Sequence, residues 1–336
     1  MNEKALANKE STTPTAPAKR IAMFGWLIRL AAVAAILLGL LTLLSSYLDS
    51  ATNESDSSEI EPVVIIEPSN SETPLAPVPI SSITSCIDQQ LIDDAEHPLM
   101  PLIEMAQHGA DVVTRNVKDY TAIITKRVRV GGKLQPEHKI MCKIRHAVAH
   151  EDQDKAIPFS VYTKFLNVKK GQEAIWVENR NENKLIAHGP SGLLNLVTLR
   201  LDPTGGMAMS GNRYPIMSIG MLNLVKKMIE KGTADLNHDD CEVVLTRNVQ
   251  VGDARCTRIE IIHEEKSDQL EYHKAEIYID DDRNLPIAFR SYLWPEKPGG
   301  RPILLERYSY SDIELNVGLD DSDFDPANEA YDYPGM

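Results

Sequence analysis

From Tyr120 onward the chain is built of short β-rich runs with too little between them to hold a crossover helix. YTAIITKRVRV, HKIMCKIRH, FSVYTKFLNV and EAIWVEN are separated by GGKLQP, EDQDKAIP and KKGQ, which carry turn and loop chemistry. A second series follows: CEVVLTRNV, ARCTRIEIIH, YHKAEIYID, PIAFRSYLW and ILLERYSYSDIELNV, with DDRN and EKPGGR as hairpin connections. Parallel neighbours need a crossover of a dozen or more residues. The spacing therefore predicts antiparallel meanders.

Two segments change period. In LMPLIEMAQHGADVVTRNV, Leu102, Ile103, Ala106, Ala110 and Val113 share a helical face, and Pro98 and Pro101 suit a helix start. In PIMSIGMLNLVKKMIEKG, Ile219, Leu222, Val225 or Lys226, and Ile229 approximate a second stripe, with Gly232 as its expected stop. About ten strands and two helices make an α+β domain over residues 84–336, a large curved antiparallel sheet with helices packed on one face. No internal repeat is apparent.

The N-terminal quarter reads differently. Between Leu30 and Leu48 there is no charged side chain, and Trp26 and Tyr47 stand where interface aromatics are expected. As a helix their separation is roughly 30 Å, close to the hydrocarbon thickness of a bilayer. Arg29 can snorkel back toward Lys19 and Arg20. Residues 1–29 carry five Lys/Arg against two acids, which places that side in the cytoplasm. The reading is a cytoplasmic tail over 1–22, a transmembrane signal anchor over 23–48 with Trp26, Arg29 and Tyr47 at the membrane interface, and an extracytoplasmic C-terminal domain at the inner membrane. A cleaved signal peptide is the competing reading, though no small-x-small site follows the apolar stretch. Residues 49–83 are rich in Ser, Pro and acids and are expected to form a disordered tether.

The formal charge of −14 argues against a nucleic-acid partner, which needs a basic stripe. No cofactor motif is present, neither a Walker A loop nor a dinucleotide glycine fingerprint.

The last quarter carries a resemblance. Asp280 to Asp282 ending a strand, Leu285–Pro286, Trp294–Pro295, Glu306, Tyr308, Tyr310, Leu315 to Leu319 and Asp323 to Asp325 resemble the bacterial domain-of-unknown-function family fifteen-seventy-one, with PFSVYTKF and RYPI adding weaker matches upstream. The likeness covers residues 85–330. That family is in turn remotely similar to LolA-like lipoprotein carriers. The resemblance implies an unclosed β-barrel with helices over an apolar face, and a lipid or lipoprotein partner in the envelope. It transfers no catalytic residue.

Candidate chemistry is sparse. Asp321, Asp323 and Asp325 alternate like a calcium loop, but the sixth position is Pro326 and the twelfth is Asp332, where an EF-hand needs Gly and Glu. The segment reads instead as a last strand, a Gly turn and a tail tucked back by Phe324. HGPSG around Ser191 lacks the second glycine of a nucleophile elbow because Leu193 stands there. HEEKS has Ser267 in place of a zinc protease's second His. His146 and His150, with Asp152 or Asp154 nearby, read as a solvated loop rather than a zinc site. A hairpin turning near Val251–Gly252 would set Cys256 opposite position 246 or 247, leaving Cys241 too far away for a bridge. Cys86, Cys142, Cys241 and Cys256 are therefore read as free thiols.

One compositional feature favours a ligand. Met207, Met209, Met217, Met221 and Met228 cluster beside the Gly-rich GGMAMSGNRYP, and Met adapts to irregular apolar surfaces. They are expected to form a lid over an apolar groove. The expected function is thus a non-enzymatic, membrane-anchored binding domain for lipid or lipoprotein. The alternatives are a structural or interaction module without a ligand, and an uncharacterised hydrolase.

Overall fold

The computed structural model describes residues 87–152, 155–190 and 196–335. Twelve strands form one antiparallel sheet: β1 (Asp119–Val130), β2 (Lys133–Leu134), β3 (His138–Arg145), β4 (Ser160–Phe165), β5 (Glu173–Val177), β6 (Leu185–His188), β7 (Leu199–Leu201), β8 (Glu242–Val251), β9 (Ala254–Ile262), β10 (Lys274–Asp280), β11 (Leu285–Leu293) and β12 (Ile303–Leu315). Their order is β7-β6-β5-β4-β3-β1-β12-β11-β10-β9-β8, with β2 on β1. Each meander is a chain of sequential hairpins. The two are joined where β12 returns to β1, with Ile124 opposite Tyr310. The ends β7 and β8 do not pair with each other, so the curved sheet stays open.

Among the described residues three α-helices accompany it: α1 (Gln89–Asp93), α2 (Met100–Asn116) and α3 (Met221–Asp235). Pro101 in the first turn and Arg115 in the last suit α2. At the start of α3, Gly220 has φ 123°, and a Cβ there would lie 3.2 Å from the Tyr120 hydroxyl. Only glycine fits that approach, which lets the Met221 N–H donate to Tyr120 Oη at 2.9 Å. One face of the sheet, with Tyr120, Ala122, Ile124 and Ile144, packs on Met221 and Leu222 of α3. The opposite face of β4–β6, with Tyr162, Ile175 and Ile186, packs on Phe324 and Tyr333 of the C-terminal tail. The open edge of β8 is met by α1. The Gln89 amide donates to the Val243 carbonyl at 2.8 Å and accepts from the Leu245 N–H at 2.9 Å, as a neighbouring strand would.

Several expectations are corrected. Gly232 does not stop a helix; it lies buried inside α3, against Ile103. The strands β2, β6 and β7 were not foreseen, being two to four residues long. The β8–β9 turn is centred on Gly252–Asp253 and sets Cys256 opposite Val249 rather than 246 or 247. The expected transmembrane helix is not part of this architecture. Among the described residues no helix is long and apolar enough to cross a membrane. The longest, α2, has 17 residues and carries Glu104, Asp111 and Arg115. The segment 23–48, with Trp26, Arg29 and Tyr47, and the tether over 49–83 lie outside the described residues. The membrane partner and the inner-membrane placement expected from them find no spanning helix among the described residues.

Candidate functional site

The site is an apolar seam where α2 and α3 lie on β9, β10 and β11. Strand alternation puts Ile259, Ile261, Ile277 and Ile279 on the helical face. The helices present Leu102, Ile103, Ala106, Gly109 and Val113 on one side and Val225, Met228, Ile229 and Gly232 on the other. These residues line a partly open cavity of about 80 Å³, with Asn284 as its single polar lining residue. Small residues let the helices approach closely. A Cβ on Gly232 would sit 3.3 Å from Ile103 Cγ1.

A buried ionic knot fixes the far end of α3. Tyr272 Oη donates to Asp235 Oδ2 at 2.9 Å, and His263 Nε2 lies 3.6 Å from the same carboxylate. His263 Nδ1 donates to the Asp240 carbonyl at 2.8 Å. Burial opposes charge on the His263 ring, but Asp235 and Asp240 outweigh it and hold the pKa above its ordinary value. HEEKS thus contributes a buried anchor for α3.

The five methionines are dispersed. Met228 lines the seam. Met221 is 1% exposed in the central cluster beneath the start of α3. Met217 packs against Trp176, Leu185 and Ala187. Met209 is half-buried in the connection before α3, and Met207 is 68% exposed.

Two members of the acidic run make ion pairs across the tail face, while Asp325 Oδ1 accepts from the Ala327 N–H at 2.9 Å. Asp321 meets Arg145 at 2.7 Å and Arg180 at 2.9 Å, which holds its pKa below the ordinary carboxylate value. Asp323 meets Lys143 at 2.7 Å, and Asp332 meets Lys164 at 3.1 Å. Gly318 turns the chain with φ 82°, and Phe324 is buried, so the tucked tail is observed. Among the described residues no three His, Cys, Asp or Glu side chains are arranged to hold a metal.

The histidine pair separates. His146 lies in the loop after β3 but is buried, its Nδ1 donating to the Val117 carbonyl at 2.8 Å, which corrects its reading as solvated. His150 is exposed, its ring accepting from the Asp152 N–H at 3.0 Å. Cys142, Cys241 and Cys256 are free, and burial pushes the thiols of Cys142 and Cys256 up to about 12. Cys86, Asp154, Ser191 and Leu193 lie outside the described residues. Sequence reasoning missed the seam's floor. Four isoleucines on two strands read as ordinary core alternation, and nothing local marks the space above them.

No curated protein matches this chain. Among solved structures it is similar to a DUF1329 family protein from Desulfovibrio piger, at 13% identity over 66% of this chain and 97% of that one, with a TM-score of 0.31. It is similar to the LolA superfamily protein NE2245 from Nitrosomonas europaea, at 12% identity over 66% and 97%, with a TM-score of 0.29. An uncharacterized conserved protein from Thermus thermophilus gives 12%, 65% and 91%, with a TM-score of 0.32. A family model matches residues 117–333. The chain belongs to the family described as protein of unknown function, DUF1571.

Proposed function

We propose that the described domain is a non-catalytic binding module, and that the seam between α2, α3 and the sheet is where it takes an apolar group. The carrying observation is the lining of that cavity, apolar throughout except for Asn284. Removing apolar area from water contributes about 25 cal/mol per Å², and an apolar ligand here would obtain that gain against an almost wholly apolar lining. Of the methionines grouped in the sequence, Met228 lines this cavity, which supports a part for it in contacting such a ligand. Its flexible thioether can follow an irregular shape.

Size sets the mode of binding. The cavity of about 80 Å³ is smaller than the ~150 Å³ cavity that takes up benzene. A longer chain is admitted only as α2 and α3 part, and the Gly232–Ile103 contact is the one that must open.

The experiment is titration with N-phenyl-1-naphthylamine, an uncharged fluorescent probe, against wild type and Ala106→Leu. Wild type should bind, and the leucine should fill the cavity and weaken binding at least tenfold while the melting temperature holds or rises. A wild-type domain that takes up no apolar probe would support the second reading instead, an interaction module with a closed core. That reading is favoured by the cavity's small volume.

A further inference from the structure

A second feature lies on the helical face but on the other side of α3, where β1 and β3 are covered by the connection that precedes that helix. Lys126 of β1 and His138 of β3 are cross-strand partners. Lys126 donates to Asn212 Oδ1. That amide is held in turn by its Nδ2, which donates to the Ala208 carbonyl at 2.8 Å. An ammonium has three donors, and one is engaged here.

His138 is 6% exposed. Phe165 stands edge-on to its ring at 5.3 Å, and its Nδ1 is buried with no hydrogen-bond partner. Lys169, in the turn between β4 and β5 at φ 61°, faces both groups and repels them. Burial first, and Lys169 second, lower Lys126 to about 8. Burial, then Lys126 and Lys169, lower His138 to about 4, against a backbone hydrogen bond at Val168 that favours the charged ring.

The other charged groups nearby are engaged elsewhere. Tyr308, opposite Lys126 on β12, directs its hydroxyl to Glu306 at 3.4 Å. Arg213 meets Glu306 at 3.0 Å and Glu271 at 2.7 Å. No carboxylate lies within ion-pair distance of Lys126 or Lys169 among the described residues. In a chain of net charge −14, three converging basic groups without an acid are an arrangement that a bound anion would relieve. A buried nitrogen that nothing meets is destabilising.

We propose that Lys126, His138 and Lys169 form an oxyanion-binding site, for phosphate or carboxylate, between β1, β3 and the β4–β5 turn. The site is separate from the apolar seam and does not depend on it. The anion takes the free donors of Lys126 and the charge of Lys169. It also recharges His138, so that Nδ1 and Nε2 both become donors. Binding is then coupled to proton uptake, and affinity rises as pH falls from 7 toward 5.

The test uses inorganic sulfate, which stays dianionic across this range, with sodium chloride at matched ionic strength as the control. Wild type should be stabilised by sulfate beyond the chloride control, increasingly so at lower pH. Lys126→Met keeps the stem and should abolish the excess. His138→Gln should keep binding at pH 8 but flatten the pH dependence. Equal stabilisation by the two salts, or an unchanged Lys126→Met response, would overturn the proposal, as would a His138→Gln profile identical to wild type.

The source of the anion is read by comparing inorganic phosphate with dodecyl phosphate. Tenfold tighter binding of the alkyl ester, lost in Lys126→Met while N-phenyl-1-naphthylamine binding persists, supports an amphiphile's headgroup at this site. Equal binding of the two, lost in the same variant, supports the site as one for a free anion.

Discussion

Gly232 decides how close α2 and α3 come. In an exposed helix interior, replacing Gly by Ala stabilises by about 1 kcal/mol. Here the added methyl meets Ile103 at 3.3 Å, so Gly232→Ala alone should bring little or no gain in a urea titration. Paired with Ile103→Val it should recover most of the ~1 kcal/mol that helix propensity offers. A full gain from Gly232→Ala alone would mean the helices do not touch there. His263 supplies a second test at this scale. Its folded pKa is raised, so the stability from its pairing with Asp235 is fully present below its unfolded value near 6.5 and is lost as pH rises through the folded value. The denaturation midpoints of wild type and His263→Asn should therefore differ more at pH 5.5 than at pH 9. An equal gap at both would show that the ring is uncharged throughout. Gly232 was legible as a special position in the sequence, but not its role, because a helix stop and a close helix contact both call for glycine.

At the scale of elements, the C-terminal tail behaves as a strap on the face opposite the helices. Tyr331 stacks on Tyr162 at 4.2 Å, Tyr333 Oη donates to the Ile186 carbonyl at 3.3 Å, and Phe324 is buried beside them. Phe324→Ala should cost about 3–5 kcal/mol, the usual range for a buried phenylalanine, read as a drop in the denaturation midpoint. A loss under 1 kcal/mol would place the tail outside the cooperative unit. The long strands and both major helices could be read from period alone, since each is long enough to show its pattern. The short strands β2, β6 and β7 could not, because two to four residues hold no period. The acidic run illustrates the opposite limit. Alternating carboxylates look alike whether they await a cation from solvent or from Lys143 and Arg145, and only the β3 register decides.

For the whole molecule, two meanders share one sheet because β12 returns to β1, and α3 crosses the junction from Tyr120 on β1 to His263 beyond β9. That diagonal separates the apolar seam over β9–β11 from the basic group over β1 and β3. α3 is tethered at Met221 and at Asp235, and Gly232, which meets Ile103 beside the cavity, lies one turn before the second tether. The seam as a ligand site is the central claim, and a reversible lock tests it most directly. Cysteines placed at positions 103 and 232, with Cys241 replaced by Ser, bring two thiols to the helix contact. With the disulfide formed, N-phenyl-1-naphthylamine binding should be lost, and reduction should restore it to the level of the reduced control. Equal binding in the oxidised and reduced forms would contradict the account and place the apolar ligand elsewhere.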